Sequence, residues 1–159
     1  MPDYNVLSIF KNFILMSAVI SWCLAQVFKL FTGVYKQGIR SISLSELLFS
    51  TGGMPSSHSA AVASLFSASV IEYGFNSFAV AVTGVLAIIV MRDASGVRLE
   101  TGKQAIILKK IVRELFSEDA NEVNNGLKEL IGHTPSQVFV GAILGLIVPI
   151  VMHLIRQAL

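Results

Sequence analysis

Apolar residues in this chain fall into four long stretches divided by polar connectors, and each stretch has the length of a helix. The first covers approximately positions 7–34 and carries Lys11 near its start and Lys29 near its end. Between those lysines lies enough apolar chain for one helical crossing of about 20 residues. No small-residue cleavage site follows, so the stretch reads as a retained span rather than a signal peptide. The second, 57–73, is rich in small residues. Ala60, Ala61, Ala63, Ser64, Ser67 and Ala68 allow close approach by neighbouring helices, which predicts a central place in a bundle. After a turn at Gly74 and Asn76 the third runs over 75–91 and stops at Arg92-Asp93-Ala94-Ser95-Gly96-Val97-Arg98. The fourth covers 138–155. His133, Gln137, Gly141 and Gly145 step by four along one face, and Gly141-x-x-x-Gly145 invites tight packing against another helix.

The connectors, 35–56 and 92–137, have patterns of their own. Ser43-x-x-Glu46 is a capping box ahead of Leu47, Leu48 and Phe49, and Gly52-Gly53 can end the short helix it starts. Beyond Gly102 the pattern turns amphipathic, with Leu108, Ile111, Val112, Leu115 and Phe116 on one face and Lys103, Lys109, Lys110 and Arg113 largely elsewhere. That spacing fits a helix lying on a membrane surface. Asn124-Asn125-Gly126 breaks it, and a short helix leads to Gly132-His133-Thr134-Pro135. The expected fold is all-α: one integral membrane domain over residues 1–159, a helix bundle of about four spans plus an amphipathic surface helix.

Composition agrees. The chain is 53% hydrophobic and only 14% charged, against roughly 25% charged in ordinary soluble domains, and its mean hydropathy is +0.70. A single cysteine, Cys23, excludes an internal disulfide and is expected to be a small packing residue. A net charge of +2, with most of its cations in connectors, gives no case for nucleic acid. The partners implied are membrane lipids, and the oligomeric state, homo-oligomer included, stays open. With four spans, nine of the twelve Lys and Arg sit in the two connectors on one side, against Lys11 and Arg156 beyond the other. The positive-inside rule puts the connector side in the cytoplasm of a multi-pass cell-membrane protein.

The same topology gathers scattered polar residues. The end of the first span, the start of the second, the end of the third and the start of the fourth share one membrane face, so Lys29, Ser57, His58, Arg92, Asp93, Arg98 and His133 converge. Ionisable residues at bundle ends mark a functional site by default. Taken singly, Lys29 fits snorkelling to the interface, and Arg92 and Arg98 fit interface anchors. Gly52-Gly53-Met54-Pro55-Ser56-Ser57-His58-Ser59, however, opens a helix whose free N–H groups and positive end suit a phosphate. Two histidines, several cations and a serine-lined helix start describe a phosphate-ester site: one histidine attacks phosphorus and the other protonates the leaving group. Such chemistry calls for no cofactor. A metal site of His58, His133 and Asp93 would be a rival, but no close-spaced ligand pair supports it.

Pro55-Ser56-Ser57-His58 resembles the Pro-Ser-Gly-His motif of the type 2 phosphatidic acid phosphatases and vanadium haloperoxidases. The whole chain looks like the divergent branch of that superfamily, through Gly52 to Ala60, Asp93-Ala-Ser-Gly-Val-Arg98, Gly102-x-Gln104-Ala105 and Gly132-His133-x-Pro135. The resemblance implies that His133 is the nucleophile that forms a phosphohistidine and His58 the general acid. It implies that Lys29, Ser56 and Ser57 hold phosphate. The chain departs from the pattern in four places: Lys36-Gln37 stands where Arg-Pro is expected, Ser57 replaces glycine, and Leu127 stands where an arginine precedes the histidine. The fourth is Gln137, four residues after His133, in place of an aspartate. Arg92 or Arg98 would then supply the missing guanidinium, Gln137 would orient the imidazole, and Asp93 is the candidate for the missing carboxylate. The function implied is hydrolysis of a lipid phosphate monoester such as phosphatidic acid, phosphatidylglycerol phosphate or a polyprenyl phosphate. The alternative is a membrane protein that binds or transports a phosphorylated lipid without turning it over.

Overall fold

A computed structural model describes residues 5–37, 54–115 and 133–159. The expected short helix at 43–49 with Gly52-Gly53 lies outside the described residues, as do the break at Asn124-Asn125-Gly126 and the short helix after it. The rest is helical, with no strand among the described residues.

The first apolar stretch is two elements rather than one. A 3-10 segment, Val6–Lys11, precedes helix α1, Phe13–Gln37. Asn12 divides them: its Oδ1 accepts the Leu15 N–H at 3.0 Å, while its own N–H closes the preceding turn on the Ile9 carbonyl. A side chain that competes for backbone partners splits an apolar run that hydropathy reads as continuous. Helix α2, Ser57–Tyr73, ends at Gly74, whose φ of 73° suits only glycine at low cost. Helix α3, Phe78–Arg92, starts three residues later than expected because the Ser77 Oγ caps it, accepting the Val80 N–H at 3.3 Å.

Nor does α3 stop at Met91. The chain continues through a π-helical turn, Asp93–Val97, into helix α4, Arg98–Leu115, so the amphipathic helix starts before Gly102. Nothing in Ala94-Ser95-Gly96 forbids helix, and the wider turn absorbs the irregularity. From Phe78 to Leu115 the run is about 57 Å long at 1.5 Å per residue, well beyond a hydrocarbon core of about 30 Å. Helix α5, Pro135–Ala158, begins before the expected position 138 because Pro135 can occupy a first helical turn.

Helix α2 lies at the centre, against α1, α3 and α5, and α1 also packs on α5. The core is built from small residues: Ala18 and Ala25 of α1, Ala60, Ala63 and Ala68 of α2, and Ala87 of α3. Gly141 and Gly145 seat α5 on α2. A Cβ on Gly141 would run into the Ser56 carbonyl, and one on Gly145 into the Ala60 carbonyl. Large apolar side chains point the other way: Phe28, Phe31, Ile88, Ile89, Ile147 and Leu154 are all exposed. This inside-out distribution belongs to a bundle whose surroundings are lipid, where close backbone approach, not apolar burial, holds helices together. Cys23 is exposed among these outward residues and so is not the core-packing residue expected; no helical period distinguishes it from its apolar neighbours.

Among the described residues three helices are long and apolar enough to cross a membrane, over Phe13–Thr32, Phe78–Ile111 and Pro135–Ala158. Helix α2 is shorter, at 17 residues, and carries buried Ser57, Ser59, Ser64, Ser67 and Ser69. Sheathed by its neighbours, it needs less apolar surface than a helix facing lipid. The Ser67 Oγ, for example, donates to the Leu146 carbonyl of α5 at 3.2 Å.

Candidate functional site

The site forms where α1 ends and α2 and α5 begin. Ser56 caps α2: its Oγ accepts the Ser59 N–H at 3.4 Å and the Ser59 hydroxyl at 3.0 Å. Ser56 is fully buried, and its own N–H donates to the Gln137 carbonyl at 3.0 Å, tying the start of α2 to the start of α5. On the other side, the Lys29 Nζ donates to the Ser57 Oγ at 3.2 Å and Thr32 Oγ1 donates to the Met54 carbonyl at 2.9 Å. Lys29 is only 7% exposed. It therefore does not snorkel; its ammonium is drawn into the protein at the positive end of α2. Burying a cation is costly unless partners meet its charge. A phosphate placed here would meet the ammonium, two serine hydroxyls and the first amides of α2.

His133 is held through both its backbone and its ring and is 3% exposed. Its backbone N–H donates to the Ala94 carbonyl at 3.1 Å. Ala94 lies in the π-helical turn, where the regular i to i+4 bonding is interrupted. At the side chain, His133 Nδ1 lies 3.2 Å from Gln137 Oε1, and the same oxygen accepts the Thr134 N–H at 3.0 Å. The second bond fixes the first. Because a backbone N–H identifies the Gln137 atom as the amide oxygen, His133 Nδ1 must be the donor toward it. The neutral imidazole then carries its lone pair on Nε2, the state required of a nucleophile. Thr134-x-x-Gln137 is itself a helix-start pattern, so Gln137 does two jobs at once: it caps α5 and orients His133.

Of the residues expected to converge, Lys29, Ser56, Ser57, His133 and Gln137 form one bonded group joined through backbone atoms. Asp93 is half-buried on the π-helical turn that holds His133, and Arg92 beside it is exposed. His58 is exposed on the first turn of α2, rotated away from its buried neighbour Ser57. Arg98 opens α4; its side chain lies outside the described residues. Three contributors were not anticipated: Thr32, the Ala94 carbonyl and the Thr134 amide. Only the last left a trace in the sequence, the spacing Thr134-x-x-Gln137. No group of three or more His, Cys, Asp or Glu able to hold a metal ion occurs among the described residues.

Comparison with known proteins agrees with this architecture. A Bacillus subtilis (strain 168) protein described as uncharacterized membrane protein YuiD is 39% identical over 158 residues, spanning 92% of this chain and 97% of the relative. No solved structure matches. The model of the Divergent PAP2 family matches residues 10–148, and the chain belongs to that family.

Proposed function

We propose that this member of the Divergent PAP2 family is a lipid phosphate phosphatase that works through a phosphohistidine on His133, at the cytoplasmic face of the cell membrane. The observation that carries the reading is the Gln137 oxygen shared between His133 Nδ1 and the Thr134 N–H, which leaves His133 Nε2 with its lone pair. Beside it, Ser56 links this group to the buried Lys29–Ser57 pair, a ready phosphate cradle.

In the first step His133 Nε2 attacks phosphorus, the ester P–O bond breaks, and His58 gives its proton to the departing lipid alcohol. In the second, water attacks the phosphohistidine, His58 takes a proton from that water, and inorganic phosphate leaves with His133 restored. Lys29, Ser56, Ser57 and the amides of α2 stabilise the equatorial oxygens, with Arg92 and Arg98 supplying further positive charge. Asp93, half-buried on the π-helical turn, takes the role of compensating the imidazolium that Gln137, being neutral, cannot. A lipid fits as substrate because its tails remain in the bilayer while its phosphate enters at the end of the bundle. Phosphatidic acid, phosphatidylglycerol phosphate and polyprenyl phosphates share that form.

The test is phosphate release from these lipids by detergent-purified protein, with a chelator present, for wild type, His133→Ala and His58→Ala. Activity that survives the chelator and falls by at least about 10²-fold in each variant is expected. Folded wild-type protein with no activity, yet with lipid phosphate binding that depends on Lys29, would make it a binding or transport protein instead.

A further inference from the structure

The opposite end of the bundle holds a second group of polar residues that the phosphatase reading does not use. A cavity of about 260 Å³ opens between the 3-10 segment, the start of α1 and the end of α2; Ser8, Lys11, Asn12, Phe13, Glu72 and Tyr73 line it. The volume is below the roughly 300–1,000 Å³ usual for whole small-molecule sites, so it suits a headgroup-sized fragment. Its charges are of both signs. Lys11 is exposed and makes no hydrogen bond or ion pair with other described residues. Glu72 gives one oxygen, Oε2, to Arg156 at 3.2 Å, and Arg156 in turn lies 4.7 Å over the Phe13 ring. That ion pair fixes the carboxylate at the cavity wall rather than leaving it to wander.

The surroundings are those of a membrane interface. No residue of the 3-10 segment is buried, and Val6, Leu7 and Phe10 are all strongly exposed. Tyr73, Phe75 and Phe78, in and around the turn after α2, are exposed as well. Apolar and aromatic residues at this level of a spanning bundle sit among headgroups and the first carbons of acyl chains. A polar cavity with an apolar rim at that depth matches a phospholipid, polar head inward and tails outward.

We propose that this cavity binds a zwitterionic phospholipid with a primary ammonium headgroup, in the leaflet opposite the His133 site. Lys11 takes the phosphodiester; the Ser8 hydroxyl is engaged with the Asn5 carbonyl at 2.6 Å and only lines the wall. The Asn12 Oδ1 is committed to capping α1, which leaves its NH2 to donate to the same oxygens. Glu72 and the face of Tyr73 take the ammonium. A headgroup without an ammonium would leave the second Glu72 oxygen, Oε1, unfilled, and a bulky trimethylammonium would lose the N–H bonds to it.

The experiment is native mass spectrometry of the full-length protein in detergent, equilibrated with equal amounts of phosphatidylethanolamine, phosphatidylglycerol and phosphatidylcholine. Wild type is compared with Lys11→Gln and Lys11→Arg. Wild type is expected to retain phosphatidylethanolamine at least about fivefold over the other two. Lys11→Gln should abolish that preference and Lys11→Arg restore it, with phosphate release at the His133 end unchanged in both. Lys11 is exposed, so neither variant is expected to impair folding. Equal retention of all three lipids, or a preference that survives Lys11→Gln, would overturn the proposal. So would soluble phosphoethanolamine displacing the bound lipid at millimolar concentration, since the acyl chains would then contribute nothing.

Discussion

Gly145→Ala tests how the bundle is held together. A Cβ on Gly145 would overlap the Ala60 carbonyl oxygen and lie 2.9 Å from both the Ala63 Cβ and the Ser64 amide nitrogen. Two of these three neighbours are backbone atoms of α2, which cannot turn aside as a side chain can, so α5 must move outward. Overpacking of this kind costs about 1–3 kcal/mol, and rigid backbone neighbours favour the upper end. Against it stands the higher helix propensity of alanine, about 1 kcal/mol. The net loss is about 2 kcal/mol, or a fall in Tm of about 4–8 °C for a chain of this size. Gly84→Ala is the matched control. Its Cβ would meet only the Phe66 ring, at 3.3 Å and 3.4 Å, and a ring can shift. Thermal unfolding in detergent, followed by the fluorescence of Trp22, should therefore show a clear drop for Gly145→Ala and a change within about 2 °C for Gly84→Ala. Equal behaviour of the two variants would refute the claim that backbone contact between α2 and α5 sets the packing.

Lys29→Met removes a buried cation but keeps its volume; phosphate release should fall by about 10²–10³-fold, as for loss of one stabilising donor. Its Tm should hold or rise, because a buried charge is costly to the fold, and a large fall in Tm would mean that Lys29 is structural. Gln137→Leu should lower kcat about 10–100-fold with a smaller effect on KM, the scale seen when an imidazole loses its orienting partner; an unchanged kcat would remove Gln137 from the site. A cysteine at Gln104 on a background with Cys23→Ala should label with a membrane-impermeant maleimide only in permeabilised cells, and labelling of intact cells would reverse the proposed orientation.

The helices and their order of packing were legible because lipid-embedded bundles write their contacts in small residues. Gly141-x-x-x-Gly145 marked a helix that packs tightly on some neighbour, the run from Ala60 to Ala68 marked a central helix, and the two meet. Helix boundaries were less legible. Asn12 and Ser77 each decide a start through one side-chain bond, a local event that an apolar window averages away. The passage of α3 into α4 was hidden for the opposite reason: Arg92, Asp93 and Gly96 resemble a stop, yet a π-helical turn accommodates them. Topology alone brought Lys29 to Ser57, but it could not foresee that the lysine would be buried. His58 shows the limit of adjacency. One residue along a helix is a rotation of about 100°, so a neighbour of the buried Ser57 emerges exposed.

The frame of the site is made mostly of backbone atoms. The Ser56 N–H meets the Gln137 carbonyl, the His133 N–H meets the Ala94 carbonyl, and the Thr134 N–H meets the Gln137 side chain. The first two contacts are backbone to backbone and do not depend on which side chains their residues carry; the third uses the Gln137 side-chain oxygen. Ser57 can therefore stand where the resembled motif has glycine, and Gln137, whose amide oxygen accepts as a carboxylate oxygen would, where it has aspartate, without undoing these contacts. The substitutions alter the charge of the site far more than its geometry. An aspartate would both orient the imidazole and stabilise its protonated form, whereas Gln137 does only the first. In the proposed mechanism the neutral imidazole with its lone pair on Nε2 is thereby favoured before the reaction, and the charge that develops during it falls to groups on the π-helical turn. That turn fixes the His133 backbone through the Ala94 carbonyl and carries Asp93, half-buried, on the preceding residue.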